Sequence, residues 1–508
     1  MIGRIFTVGG FTLISRITGF ARDVMLAAVL GAGPIADAFF VALRLPNHFR
    51  TIFAEGAFNA AFVPAYARIR EQNGADKARV FADQVFTMLL ATQIVLLAIA
   101  LLFMPQVVSV LAPGFNADPE RYALAVEFTR ITFPYLLLIT LVTLYGGILN
   151  AIQRFAAAAA APILLNLSLI VALALAAFFP TAGHAAAWGV LVAGVLEFLL
   201  LLGDAGRAKV LASFRRPRLD EDIRKFFRAL GPATVGSAGV QLALFADTVI
   251  ASFLAAGAVS ALYYADRLNQ LPIGVIGIAV GTVLLPEMAK RLAAGDDAGA
   301  RHAQNRAIEF TLLLSIPCLV AFLIIPELIM RALFLRGAFR ATDAAAAAAT
   351  LAAYALGLFP FVLIRCLTAP FFARGDTATP VKASLTAAAI NIVFKILLMG
   401  PLAQVGLALA TAIGAWVNLG LITWFAWHRG LIGWDERLRR SLVRLALGGG
   451  ILAMSLLVAV GPVARWAAGL PTLRDETALG VLAIGAAAVY AGSILLLLGW
   501  RWHMGFRQ

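Results

Sequence analysis

Charge is scarce in this chain. Asp, Glu, Lys and Arg make up 13% of it against 62% hydrophobic residues, and the mean hydropathy is +0.90. That shortage excludes a soluble globular protein of 508 residues, which would need far more polar surface. Cysteine is nearly absent. Cys318 and Cys366 lie in separate apolar runs, which argues against a disulfide framework or a thiolate metal site. Histidine is rare too: His48, His184, His302, His428 and His503 are scattered without ligand spacing, so structural roles are expected. The acid clusters Asp220-Glu221-Asp222 and Asp296-Asp297 lie inside basic loops. They read as solvated charge, not as the Mg²⁺ site that a membrane prenyl or phosphosugar transferase needs. No cleavable signal peptide is expected, because Arg16, Arg22 and Asp23 interrupt the first apolar run. The class left is an all-α polytopic membrane protein.

Long apolar runs are what the chain does have. We read about fourteen spans, at 5–30, 36–67, 80–104, 122–150, 157–179, 184–204, 225–256, 259–289, 305–327, 344–372, 380–400, 404–428, 440–461 and 476–499. Alternate loops are basic: Arg68, Arg70, Lys77 and Arg79; Arg154; Arg207 to Lys225; Lys290 to Arg306; Arg374 and Lys382; Arg429 to Arg440. The others, such as Gly31–Pro34 and Thr181–Gly183, are bare of Lys and Arg. The net charge of +14 therefore reads as topology and contact with anionic membrane lipid, with no nucleic-acid partner. Positive loops inside put both termini in the cytoplasm. The loop near 328–343, with Arg331, Arg336 and Arg340, breaks the pattern; a short surface helix or a salt-bridged lid would fit it. The stretch Arg207–Arg228 reads as an amphipathic surface linker or, equally, as a solvated loop.

Against this apolar background, residues 15–55 stand out. Ser15, Arg16, Arg22, Asp23, Asp37, Arg44, Asn47, Arg50 and Glu55 fall within two apolar segments, with Arg16 and Arg50 near their middles. An arginine at the bilayer centre costs about 2.5–3.5 kcal/mol on insertion scales. It does not deprotonate to escape that cost. Such residues persist when they face protein or a wet cavity, and the simplest reading is a cavity that holds an anion. The competing reading is packing through the seven-apart pairs Arg16–Asp23 and Asp37–Arg44. Gly19 and Pro46 allow bending of the two segments, or Gly19 only permits close helix packing.

A weak repeat at an offset of about 222–224 residues relates Val41-Ala42-Leu43-Arg44-Leu45 to Tyr264-Ala265-Asp266-Arg267-Leu268, Pro64 to Pro286 and Asp23 to Asp247. Two parallel six-helix halves follow, at 1–206 and 225–430, joined by the basic linker 207–224 and followed by two extra helices in 431–508. Pseudo-symmetry of this kind suits an alternating-access transporter with its site at the repeat interface.

The motifs Ser15-Arg16…Gly19-Phe20…Arg22-Asp23, Ala36-Asp37-Ala38-Phe39, Leu45-Pro46-Asn47, Phe53-Ala54-Glu55-Gly56-Ala57-Phe58, Tyr263-Tyr264-Ala265-Asp266-Arg267-Leu268 and Gly281-Thr282…Leu285-Pro286 resemble the MurJ (MviN) family along the whole chain. These are lipid II flippases of the multidrug/oligosaccharidyl-lipid/polysaccharide exporter superfamily. The resemblance implies fourteen helices in the bacterial inner membrane and a V-shaped cavity. It also implies a transporter, not an enzyme, acting on the undecaprenyl-pyrophosphate-linked peptidoglycan precursor. The family's cavity arginines fall on Arg16, Arg22, Arg50 and Arg267 and its cavity acid on Asp37, with Ser15, Asn47 and Ser260 also at substrate-facing positions and Asp23 and Glu55 in support or gating; Gly19 joins the gating set through the bend that it allows. The two extra helices would form a groove for the lipid tail. A monomer is expected, with peptidoglycan glycosyltransferases as candidate partners.

One departure from the family concerns the driving force. Some members hold a cation, and the matching positions are Asp247, Asn391 and Thr411, but Lys395 stands where an acid is expected. Lys395 either replaces the ion by pairing with Asp247 or snorkels to an interface. No cofactor is expected; sodium, protons or the membrane potential would drive transport. The rival readings are a flippase for another lipid-linked oligosaccharide and a drug or cation exporter of the same superfamily. An exporter of cations would want carboxylates and aromatics in its cavity.

Overall fold

The computed structural model describes the backbone of residues 2–50 and 57–499, and within these the side chains except at 2–7, 49, 57, 233, 235–243 and 278. Among the described residues every regular element is helical. In chain order they are α1 (Ile2–Leu30), α2 (Pro34–Phe49), α3 (Ala57–Asn73), α4 (Ala75–Leu102), α5 (Met104–Leu111), α6 (Pro119–Thr132), α7 (Tyr135–Ala151), α8 (Ala156–Ala174) and α9 (Ala182–Arg207). Then follow α10 (Glu221–Ser252), α11 (Ala258–Ala293), α12 (Asp297–Ile324), α13 (Pro326–Phe334), α14 (Ala341–Ala355), α15 (Leu358–Ala373), α16 (Ala378–His428), α17 (Glu436–Ala468) and α18 (Arg474–Leu498). Ten helical stretches among the described residues are long and apolar enough to cross a membrane, with α6–α7 and α14–α15 each acting as one. The 51-residue α16 turns sharply at Ala403 (φ 47°, ψ −129°), two residues after Pro401. Within the second apolar segment, α2 ends at Phe49 with Arg50 at its C-terminal boundary, and α3 opens at Ala57.

Polar residues at the helix ends explain where they start. Asp118, Thr181, Asp220, Asp296 and Asp435 each accept a backbone N–H of the first turn, which satisfies a donor that the helix cannot. The stops carry the repeat. Gln153 (φ 65°) and Gly375 (φ 77°) end α7 and α15, and Lys209 (φ 57°) and Gly430 (φ 64°) end α9 and α16. The hydrogen bonds match as well. Arg154 N–H donates to Leu149 O and Asp376 N–H to Phe371 O; Val210 N–H donates to Ala205 O and Leu431 N–H to Ala426 O. These left-handed helix ends recur at about the offset that the sequence repeat gives.

The chain forms two compact units, Met1–Ser260 with Arg336–Phe339, and Ala261–Leu335 with Arg340–Gln508. In the first, α8 packs on α1 and α9, α2 on α6, and α10 on α3. The buried rings of Phe58, Phe62, Phe81 and Phe226 stack or meet edge to face at 5.0–6.3 Å, tying α3, α4 and α10 together. The basic linker is neither an amphipathic helix nor a free loop. Residues 210–220 have no regular secondary structure and are strapped to α4: Asp83 accepts the Ser213 N–H and hydroxyl, and Thr87 Oγ1 accepts the Arg215 N–H. Pro217 and the side-chain acceptors on α4 favour that form over a helix.

In the second unit α12 packs on α15 and α17, and α17 on α18, around a core that includes Ile316, Leu367, Ile422, Leu445 and Ile494. The basic stretch near 328–343 contains a short helix and an ion pair. Short α13 carries Arg331, which pairs with Asp475 of α18 at 3.1 Å and Glu327 at 3.9 Å. Residues 336–339 belong to the first unit, where the Ala338 N–H donates to Ala28 O at 2.7 Å.

Candidate functional site

Arg16 is exposed on α1, among exposed Leu13, Ile14 and Ile17. Two turns on, Arg22 donates through Nε and Nη2 to Asp23 Oδ1 (3.0 and 2.7 Å) and through Nη1 to Asn166 Oδ1 of α8 at 2.9 Å. Asn166 Nδ2 in turn reaches Ser15 O at 2.9 Å and Thr18 Oγ1 at 3.1 Å. This knot explains the position of Gly19: a Cβ there would lie 3.4 Å from Asn166 Nδ2, tighter than most side-chain contacts. Arg22 is thus held in a fixed orientation by an acid and an amide, while Arg16 is presented outward.

On α2, Arg44 Nη1 lies 3.3 Å from Thr248 Oγ1 of α10, the His48 ring lies tilted with its centre 4.8 Å from that of Phe245, and Asn47 Nδ2 donates to Leu43 O. Asp247 is half-buried beside Thr248 and Arg50 half-buried at the end of α2. Glu55 lies outside the described residues.

Asp37 and Ser260 meet, and not in an open cavity. Both are 0% exposed. Asp37 Oδ1 accepts the Ser260 hydroxyl (2.6 Å) and N–H (2.8 Å), and Oδ2 accepts the Gly257 N–H (2.8 Å). The carboxylate therefore caps the N-terminus of α11 from a different helix, where the free N–H groups and the dipole favour an anion. Arg121 of α6 completes the cluster, 3.4 Å from Asp37 Oδ2, with its Nη atoms on Leu254 O and Ser252 O and its guanidinium 4.2 Å over the Phe115 ring. In this arrangement Asp37 and Ser260 expose no surface to a ligand. Sequence reading missed Arg121, which stands at the edge of an apolar run with its acid 84 residues away. Nor does Asp37 rely on Arg44, its seven-apart neighbour.

In the second unit, Arg267 is exposed on α11 with its guanidinium 4.7 Å over the Tyr263 ring. Arg365 of α15 is a further intramembrane cation that the sequence reading did not single out. A Cβ on Gly277 would sit 2.6 Å from its Nε, so glycine makes room for it. Arg365, Ser384, Asn391, Thr411 and Asn418 line one cavity of about 310 Å³. The Asn391 and Asn418 Oδ1 atoms there are buried without a hydrogen-bond donor, and the Thr411 hydroxyl donates to Leu407 O. These oxygens would suit a cation. Lys395, one helical turn from Asn391 on the same helix, is 3% exposed, a burial that is not that of a snorkelling side chain.

The chain aligns over residues 26–469 with the family described as lipid II flippase MurJ. A curated relative from Rhizobium meliloti, named probable lipid II flippase MurJ, is 42% identical over 97% of this chain and 93% of its own length. Among solved structures, one titled as lipid II flippase MurJ in an inward closed conformation superposes with a TM-score of 0.80, covering 97% of this chain and 98% of that one at 22% identity. An inward-facing multidrug MATE transporter of the MOP superfamily superposes at 0.66 over 84% of this chain and 97% of that one, at 14% identity. Those two structures bear on the fold alone. With two repeated halves, many apolar spans and no enzymatic constellation expected, this transporter of the bacterial inner membrane belongs to the MurJ family.

Proposed function

We propose that the protein flips the undecaprenyl-pyrophosphate-linked peptidoglycan precursor, lipid II, from the cytoplasmic to the outer leaflet by alternating access. The observation that carries this reading is the pair of outward-presented arginines on apolar helices, Arg16 in the first repeat and Arg267 in the second. Arg22 and Arg50 support them, and Arg365 adds a cation in the second unit. A diphosphate ester carries about two negative charges, and the planar guanidinium binds such oxygens in a bidentate fork. The capped Asp37–Ser260–Arg121 cluster serves as a gate that must release for the outer side to open. A cation exporter is disfavoured because Asp37 is spent on backbone donors.

The chain crosses the bilayer fourteen times in this reading, with α1, α2–α3 and α10 counted as spans and α16 counted twice at Ala403. Both termini face the cytoplasm and the protein acts as a monomer that supplies peptidoglycan glycosyltransferases. The membrane potential drives export, worth about 2.3 kcal/mol per charge per 100 mV, and Lys395 takes the place of a bound sodium.

The test is binding of lipid II and of its diphosphate-free lipid analogue to purified protein. Wild type should prefer lipid II by more than tenfold, and Arg267→Ala should lose most of that preference, since a hydrogen bond to a charged group contributes about 1.5–3 kcal/mol. Equal affinity of wild type for the two lipids would overturn the assignment.

A further inference from the structure

A further hollow lies in the first unit, made by α1, α8 and α9 and lined by none of the residues assigned above. Its volume is about 590 Å³. The floor is apolar and unusually small in side chain. Phe11 comes from α1, Ala157 and Ala160 from the six-alanine run that opens α8, and Leu200 and Gly203 from α9. The hollow is real space, because a Cβ added to Gly203 would meet no atom within 4 Å.

Its mouth is polar. Arg154 donates to Asp204 through both Nε and Nη2. That pairing uses the one acid lining the mouth. Arg207, one turn further along α9, is exposed, and among the described residues no carboxylate comes within ion-pair distance of it. The mouth therefore keeps a net positive charge. From Leu200 to Arg207 the hollow runs about 10 Å along α9 at 1.5 Å per residue. A cation at the top of an apolar trough, on the side of the membrane that the basic loops occupy, matches one molecule class: a phospholipid with an anionic head.

We infer that this trough is a site for one anionic phospholipid of the basic-loop leaflet, with its phosphate at Arg207 and Arg154 and one acyl chain over the alanine floor. A zwitterionic lipid offers the same chain with no net charge for Arg207 to meet. The site is separate from the transport reading and does not depend on it.

The experiment is intact-protein mass spectrometry of the full chain released from detergent with added dioleoylphosphatidylglycerol or dioleoylphosphatidylcholine. Wild type should retain one phosphatidylglycerol with about a fivefold preference over phosphatidylcholine, the scale of one basic residue near an anionic surface. Arg207→Ala should remove the preference and Arg207→Lys keep it. Gly203→Phe should lower retention of both lipids, because the ring enters the empty trough; its melting temperature should match wild type. If Gly203→Phe fails to fold, the pair at exposed Arg207 decides alone. Equal retention of the two lipids by wild type, unchanged retention by a folded Gly203→Phe, or a wild-type preference for lipid II that Gly203→Phe abolishes would each overturn the assignment.

Discussion

Asp37 and Arg121 show how an ion pair survives among apolar helices. Removing a carboxylate from water costs several kcal/mol even after relaxation. Here each oxygen is met by donors, two of them backbone N–H groups at the start of α11. The pair is therefore a joint between α2, α6 and α11 as much as a charge. Deleting one partner leaves the other buried and uncompensated, at a cost of about 3–5 kcal/mol. We expect Asp37→Ala to lower the melting temperature in detergent by many degrees, and Asp37→Asn, which keeps one oxygen for the Ser260 donors and loses the one that accepts from Gly257 and Arg121, to lower it less. Equal losses for the two would mean that the donors do not matter. At this scale the sequence showed which residues are polar within apolar runs, Arg16, Arg22, Arg267 and Asp37 among them. It could not show which of them are spent. Asn166 and Arg121 are ordinary by composition, and become decisive only when helices 84 to 151 residues apart come together.

Elements repeat more faithfully than their residues. The turn after α7 and the turn after α15 share the same backbone bonds, yet Gln153 occupies one left-handed position and Gly375 the other. The ion pairs at these ends are exchanged in sign: Arg154 with Asp204 in the first unit, Asp376 with Arg429 in the second. That repeat was legible at Arg44 and Arg267 and invisible at the turns, because a conformation, not a residue type, is what recurs there. Asp376 gives a test. Hydrogen bonds from the Thr379 N–H and hydroxyl, then from Arg429, pull its pKa down from 3.8 to about 2. A depressed acid contributes stability that is present above its unfolded pKa and lost as pH falls through the folded value. The wild-type melting temperature should therefore drop between about pH 4 and pH 2, and by less in Asp376→Asn; parallel curves would contradict the assignment. The bend of α16 gives another. Ala403 holds a positive φ that L side chains rarely adopt, a strain of about 1–3 kcal/mol. Ala403→Gly should raise the melting temperature by a few degrees despite removing a side chain, and a fall would mean that the methyl group packs more than it strains.

For the molecule as a whole, the class followed from scarcity of charge, since a chain this apolar has no soluble alternative. The two-unit organisation did not follow as simply. Helix α10 packs with the first unit through Phe226 on α3 and α4, a contact that no local pattern announces. The energy source belongs to this scale as well. With the buried Lys395 of α16 in the place of a bound ion, as proposed, transport should proceed at the same rate when sodium is replaced by potassium, and should regain a sodium requirement in Lys395→Asp. A wild-type rate that collapses without sodium would contradict this.

The central claim is that arginines from both repeats grip the diphosphate during export, and the most direct measurement is the rate of lipid II flipping in sealed vesicles holding purified protein. Wild type should flip. Arg267→Ala, at matched incorporation and melting temperature, should be slower by at least tenfold, the loss expected for one charge-assisted contact of about 1.5–3 kcal/mol, with Arg267→Lys partly restored. A normal rate for Arg267→Ala would contradict the account.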